Sequence, residues 1–246
     1  MPAAVQARSW QGHAFGAEVS LTIRGPKDQA QAALSQARAI IAEVEGLFSL
    51  YDPNSALSQL NAAGSLKKPR ARFLNLMQAA NTAVTQTDGL FDPTVQPLWA
   101  ALAGGHDPLT AIAAIGWHRV NFDADEITLD QSQALTFNGI AQGYATDLVA
   151  DMLHAHGFKD ALVNIGEFRS TGGTWNLGIS DPVHGILGNR SLSSGAIATS
   201  SPAATMLGAH GHILHPNAQP LWSTVTVEAE RATVADSLST AMVLAP

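Results

Sequence analysis

The sequence predicts an α+β fold with largely antiparallel sheets and packed helices. Strand-like and amphipathic helical runs are interspersed along the chain, and several strand-like runs are joined by loops too short to hold the crossover helix that parallel pairing needs. No internal repeat and no linker rich in Pro, Gly or Ser interrupts the pattern, so residues 1–246 read as one unit. A composition of 46% hydrophobic and 13% charged residues is that of a core-forming chain, not a disordered one.

Residues Ala17–Arg24 alternate Val19, Leu21 and Ile23 with Ser20 and Thr22, the period of a strand with one buried face. Gly25-Pro26 breaks it. From Lys27 to Leu50, Ala33, Ala37, Ile40, Ile41, Val44, Leu47 and Phe48 recur at helical spacing. Asp52-Pro53-Asn54 is a turn, after which Ser55 caps a short helix through Leu60. The basic cluster Lys67–Arg72 reads as a solvated loop, and a helix follows over Phe73–Thr87, stopped by Asp88-Gly89. A turn-rich segment from Gly89 enters Val95–Ala103, and Gly104–Pro108 is a loop. Three short strands are expected at Arg119–Phe122, Glu126–Leu129 and Ala134–Phe137. A helix over Ala145–His156, with Gly157 as its C-terminal stop, leads to strands at Ala161–Ile165, Trp175–Ser180, Ala196–Thr199 and Thr224–Ala229. The last element is a helix over Val234–Leu244.

Composition excludes several function classes. A net charge of −7 with scattered bases gives no basic face for nucleic acid and no polybasic segment for an anionic membrane. Without Cys there is no disulfide, thiol nucleophile or Cys-ligated metal. No apolar run is long enough for a membrane span, and the first residues have no apolar leader core, so no signal peptide is expected in this chain.

Several segments carry chemistry, each with a plainer reading beside it. If Ala235–Thr240 opens a helix, Asp236 and Thr240 share one face, with Ser239 beside them. A carboxylate and hydroxyls are hard oxygen donors suited to Mg²⁺; alternatively Asp236 is only a helix cap. In Asn138–Tyr144, two glycines ahead of a helix permit close approach of a phosphate to helix N–H groups, or simply make a strand-to-helix turn. Gly89–Pro97 sets Asp92 in a tight turn, with Phe91 able to pack in the core or on a flat ligand. His210, His212 and His215 lack the HExxH pattern of a helical zinc site, leaving an acid–base role open for one of them. The hydroxyls of Ser193–Ser201 form no G-x-S-x-G elbow.

The order of these segments is more specific than any one of them. The chain runs from EGLFSLYDPNSALSQLN (from Glu45) through GLFDPTVQPLW (from Gly89), NGIAQGYATD (from Asn138), LVNIGEFRSTGG (from Leu162) and WNLGISDP (from Trp175). It continues with GAIATSS (from Gly195), GHILHP (from Gly211) and TVTVEAERATVADSLSTAMVL (from Thr224). This sequence resembles the ApbE family of FAD:protein FMN transferases, and within it the NosX-like branch associated with nitrous oxide respiration. The resemblance implies a compact two-lobed unit related to the T-fold, with FAD in a cleft between the halves. It implies Mg²⁺-dependent cleavage of the FAD pyrophosphate and transfer of FMN to a Thr or Ser hydroxyl of an exported or membrane redox subunit, in the periplasm. It places Asp236, Thr240, neighbouring Ser239 and the Gly139 carbonyl at the metal. It places Phe15, Tyr51, Leu90, Phe91, Asp92, Thr136, Gln142 and His212 at FAD, and leaves Asp236 or His212 as the base.

The chain departs from the family pattern in places. Gln142 stands where Lys is common, Thr136 and His215 where Asp is usual, and Phe15 where Met is usual. The sequence also stops at Pro246, where the family usually continues. Three functions are therefore to be distinguished: an FMN transferase, an FAD-binding carrier without transfer, and an FAD pyrophosphatase.

Overall fold

The strand expected at Ala17–Arg24 is β2 (Ala17–Gly25), with Val19, Leu21 and Ile23 buried and the alternate residues less so. The computed structural model describes residues 6–246; the expected absence of an apolar leader core falls partly on residues 1–5, outside that range. β1 (Gln6–Ala14), which has no clear alternation, pairs antiparallel with β2 along its whole length. They are joined through the two-residue turn Phe15-Gly16, in which both residues have positive φ, +53° and +74°. That is the backbone twist favoured at a tight hairpin.

α1 (Lys27–Phe48) buries the predicted stripe, from Ala30 and Ala33 to Leu47 and Phe48. The Ser49 hydroxyl accepts the N–H groups of Tyr51 and Asp52, which turns the chain out of the helix. Ser55 caps α2 (Ala56–Ala63) by accepting from the Ser58 N–H at 3.0 Å. The basic cluster is not simply a loop. Lys67 ends β3 (Ser65–Lys67), and α3 (Ala71–Gln86) starts ahead of the expected Phe73. α4 (Gln96–Ala103) and α5 (Leu109–Ala114) follow, the latter unpredicted. Arg119 lies in a 3₁₀ turn, so the next strand, β4, is only Asn121–Phe122, and β5 is Glu126–Thr128.

The strand expected at Ala134–Phe137 does not form. The segment is extended, but its partners are a side chain and a turn. Asn61 brackets Leu135, its Oδ1 accepting from Leu135 N at 2.7 Å and its Nδ2 donating to Leu135 O at 2.8 Å. Thr136 N donates to the Pro93 carbonyl. Local alternation cannot distinguish such a segment from one with a strand beside it.

α6 (Ala141–Ala155) starts four residues before the predicted Ala145. β6 (Ala161–Asn164), β7 (Phe168–Ser170), β8 (Trp175–Asp181), β9 (Gly185–Leu192) and β10 (Gly195–Ser200) follow, with β7 and β9 unpredicted. β11 (Met206–Leu207), β12 (His210–Gly211), β13 (Val225–Ala229) and α7 (Ala232–Met242) complete the order.

Six strands form one sheet in the order β1-β2-β6-β7-β10-β13, and every neighbour is antiparallel. A three-stranded sheet, β3-β5-β4, and the hairpins β8-β9 and β11-β12 are also antiparallel. This is the α+β class expected. The main core joins β2 and β6 to α1, α6 and α3 through Leu21, Val44, Phe73, Val149 and Val163. Phe48, Phe73 and Phe137 meet at centroid distances of 4.9–6.0 Å, edge-on or tilted, locking the end of α1 against α3 and the loop before α6. The β8-β9 hairpin adds a smaller cluster of Leu177, Leu192 and Ile197. No helix is long and apolar enough to cross a membrane among the described residues.

Candidate active site

The site is set by how α6 and α7 meet. Each helix begins with N–H groups that have no acceptor in their own first turn. Here each is capped by the other. Asp236, inside α7, accepts from Gly143 N of α6 through Oδ2 at 2.9 Å. Asp147, inside α6, accepts from Ala232 N through Oδ1 and from Thr233 N through Oδ2, both at 2.9 Å, and from the Thr233 hydroxyl at 2.6 Å. Arg169 and Arg231 complete the buried Asp147 carboxylate with ion pairs at 2.8 and 3.2 Å. Gly143 makes the crossing possible, because a Cβ there would lie 2.4 Å from the Ala232 carbonyl oxygen.

This junction forms one wall of a cavity of about 470 Å³. Its other walls are the Phe15-Gly16 turn, the end of α1, the Leu90–Pro93 turn, Glu167 at the β6-β7 turn, the end of β10, and His212–Leu214. Phe15, Tyr51, Leu90, Phe91, Asp92, Thr136, Gly139, Gln142, His212, Asp236 and Thr240 all line it. Residues from six separated stretches of sequence thus share one cavity.

Ser239 does not line it. It is fully buried, and its hydroxyl donates to the Asp236 carbonyl at 3.0 Å and lies 2.7 Å from the Ser200 hydroxyl. A helical offset of three from Asp236 turned it behind the face that Asp236 and Thr240 share. Gly139 packs directly on Thr240: a Cβ on Gly139 would lie 2.8 Å from Thr240 Oγ1.

The apolar side is formed by Phe15, Leu90 and Phe91, with Tyr51 at the rim, its ring largely exposed. Glu45 of α1 holds the Phe15 turn by accepting its N–H at 2.8 Å. Asp92 is fixed as a cap, accepting from Thr94 N at 2.8 Å and Thr94 Oγ1 at 2.6 Å. Gln142 lies against Gly166, where an added Cβ would be 2.5 Å from its Nε2. His212 donates through Nδ1 to the Pro202 carbonyl at 3.0 Å, since a carbonyl can only accept. In the neutral ring Nε2 is then the basic nitrogen.

The carboxylates give the site its charge. Burial pushes the Asp236 carboxyl up to about 7, against the Gly143 N–H that favours its ionised form, and the Asp147 charge adds to the rise. Glu167, also buried, is pushed well above the usual carboxylate range by desolvation and by the charge of Asp236. Glu167, Glu45 and Asp147 were not singled out from sequence, and Ser200 only as one of the hydroxyls of Ser193–Ser201. The signal for Glu167 was a lone acid inside the apolar run LVNIGEF.

In this antiparallel α+β chain, carboxylates, hydroxyls and aromatic side chains line one cleft. Residues 15–246 match the sequence profile of the ApbE family, and the chain belongs to that family. It is 26% identical over 208 residues to an FAD:protein FMN transferase of Klebsiella pneumoniae, an alignment covering 76% of this chain and 66% of the relative. It is 28% identical to an FAD:protein FMN transferase of Treponema pallidum, covering 88% of this chain and 72% of that protein. The chain therefore spans about two thirds of the first relative's length. The crystal structure of the ApbE protein of Thermotoga maritima superposes with a TM-score of 0.85 at 25% identity, over 97% of this chain and 87% of that one.

Proposed function

We propose that this protein is an FAD:protein FMN transferase. The observation that carries the reading is that Asp236, Thr240 and Gly139, the last packed on Thr240, line one cleft together with Phe15 and Phe91. The names of two curated relatives support it. FAD would lie with its flavin toward Phe15, Leu90 and Phe91 and its diphosphate toward Asp236 and Thr240, where a cation between carboxylate and phosphates would offset their charges.

The donor set fits a divalent cation. Asp236 Oδ2 is engaged by Gly143, and Oδ1 has no hydrogen-bond partner among the described residues. A buried carboxylate so placed beside a hydroxyl and a backbone oxygen is stabilised by a hard cation. Asp236, Thr240 and the Gly139 carbonyl would hold Mg²⁺, which when bound would offset charge on the phosphates and on departing AMP. His212 acts as the base: the partner's Thr or Ser hydroxyl loses its proton to Nε2 as its oxygen bonds to the FMN phosphorus and the bond to AMP breaks. Asp236 is then a cation ligand. A periplasmic location and a redox acceptor serving nitrous oxide respiration rest on the resemblance to the NosX-like branch.

The test is incubation with FAD, Mg²⁺ and a Thr-bearing acceptor domain, read by mass spectrometry. An FMN adduct that disappears with EDTA is expected; no adduct, while an active relative modifies the same acceptor, overturns the reading. Gln142 favours a second reading, an FAD carrier, because it brings no cation to the cleft. FAD retained without AMP release identifies the carrier. AMP and FMN formed without any acceptor identify a pyrophosphatase.

A further inference from the structure

Four hydroxyl and carbonyl groups, beginning with Thr240 and Ser200 on the cavity wall and ending with Ser239 and the Asp236 carbonyl behind it, form a chain whose proton directions can be counted. The Ser239 hydroxyl has one proton, and it goes to the Asp236 carbonyl at 3.0 Å, which can only accept. Ser239 Oγ therefore accepts from Ser200, 2.7 Å away. With its proton so committed, Ser200 Oγ is left to accept from Thr240 Oγ1 at 3.3 Å. The protons run from Thr240 through Ser200, which both line the cavity, to the fully buried Ser239 and the Asp236 carbonyl. Thr240 is thus left presenting lone pairs, not its proton, on the side that faces Gly139 and the cavity.

We propose that Ser200 and Ser239 are positioning residues that fix Thr240 as an oxygen donor to a divalent cation. The inference rests on the cation-dependent reading of the site given above. It gives a role to Ser239, a fully buried hydroxyl that does not line the cavity. A hydroxyl free to rotate would turn its proton toward the cation in part of the population, and outer partners of metal ligands commonly set affinity in this way.

The experiment titrates Mn²⁺ by electron paramagnetic resonance against the full chain with saturating ADP, a diphosphate that cannot donate FMN. Ser200→Ala and Ser239→Ala are expected to weaken Mn²⁺ by about tenfold. Ser200→Thr, which keeps the hydroxyl, is expected to bind like the parent. The deciding measurement is the double variant. Ser200→Ala should add nothing in a Thr240→Ala background, because the ligand it orients is gone. An undiminished effect of Ser200→Ala in that background, or parental Mn²⁺ binding by a folded Ser200→Ala protein, overturns the inference. FMN transfer by the parent protein is measured alongside. If the parent transfers FMN but the variants bind Mn²⁺ normally, only the hydroxyl chain is wrong. If the parent shows the predicted Mn²⁺ coupling without transfer, only the transferase reading is wrong.

Discussion

Phe15 occupies a backbone region that costs a residue with a Cβ about 1–2 kcal/mol, and it does so at φ +53° on the wall of the cleft. Strain kept at a binding surface points to use by the ligand. Phe15→Asn is therefore expected to raise stability by about 1 kcal/mol in urea unfolding while weakening FAD binding. Asp236 gives a second prediction at this scale. Its carboxyl titrates at about 7 in the fold, against an ordinary 3.8, so between those values the folded state keeps a proton that the unfolded chain releases. Stability of the metal-free protein must then fall as pH rises from about 4 to about 7 and level off above. Melting temperatures from pH 5 to 8 check this. Mg²⁺ should raise the pH 8 value more than the pH 5 value, and Asp236→Asn should flatten the slope, leaving the part that comes from Glu167. Asp92, Gly139 and Gln142 were legible because they fall in segments with their own local signature, DPT and NGIAQG, whereas Phe15, Tyr51 and Thr136 were reached only through the family resemblance. Ser239 was misplaced because spacing along a helix gives a neighbourhood, not the direction of a hydroxyl.

Among elements, the long helices and the buried strands were legible, and the short helix α5 and the exposed strand β9 were not. α1 announces itself by a repeated apolar stripe, and β2 by strict alternation. β9 (GILGNRSL) is exposed along nearly all its length, so nothing selects a pattern, and its strand character comes from pairing with β8. α6 was started too late because its first turn includes Gly143, which reads as a breaker until α7 is seen lying against it. The α6–α7 junction carries its own prediction. Asp147→Ala removes three donors' acceptor at the start of α7 and leaves Arg169 and Arg231 with Asp151 as their remaining carboxylate partner. The loss is expected to be about 3–5 kcal/mol, the range for breaking a buried ion pair by deleting one partner. Denaturant unfolding measures it. Mg²⁺ affinity should fall too, since the same helix carries Asp236 and Thr240.

For the molecule as a whole, the cleft draws on the first hairpin, the middle turns and the last helix, so no contiguous fragment contains it. Unfolding is accordingly expected to be a single transition in calorimetry, with FAD shifting it upward by mass action, about 2.7 kcal/mol at one hundred times the dissociation constant. Two transitions with only one responding to FAD would contradict this. The mutual capping of α6 and α7 has a consequence for how the protein can change. Asp236 fastens one helix and faces the cleft, while Asp147, far from it in sequence, fastens the other. Each acid holds the other's helix, so a substitution at one leaves the opposite helix with bare amides. The same tie makes the joint responsive to its cargo. Neutralising Asp236 loosens the hold on Gly143, and amide hydrogen exchange at the start of α6 should report, from a distance, whether the cation is in place.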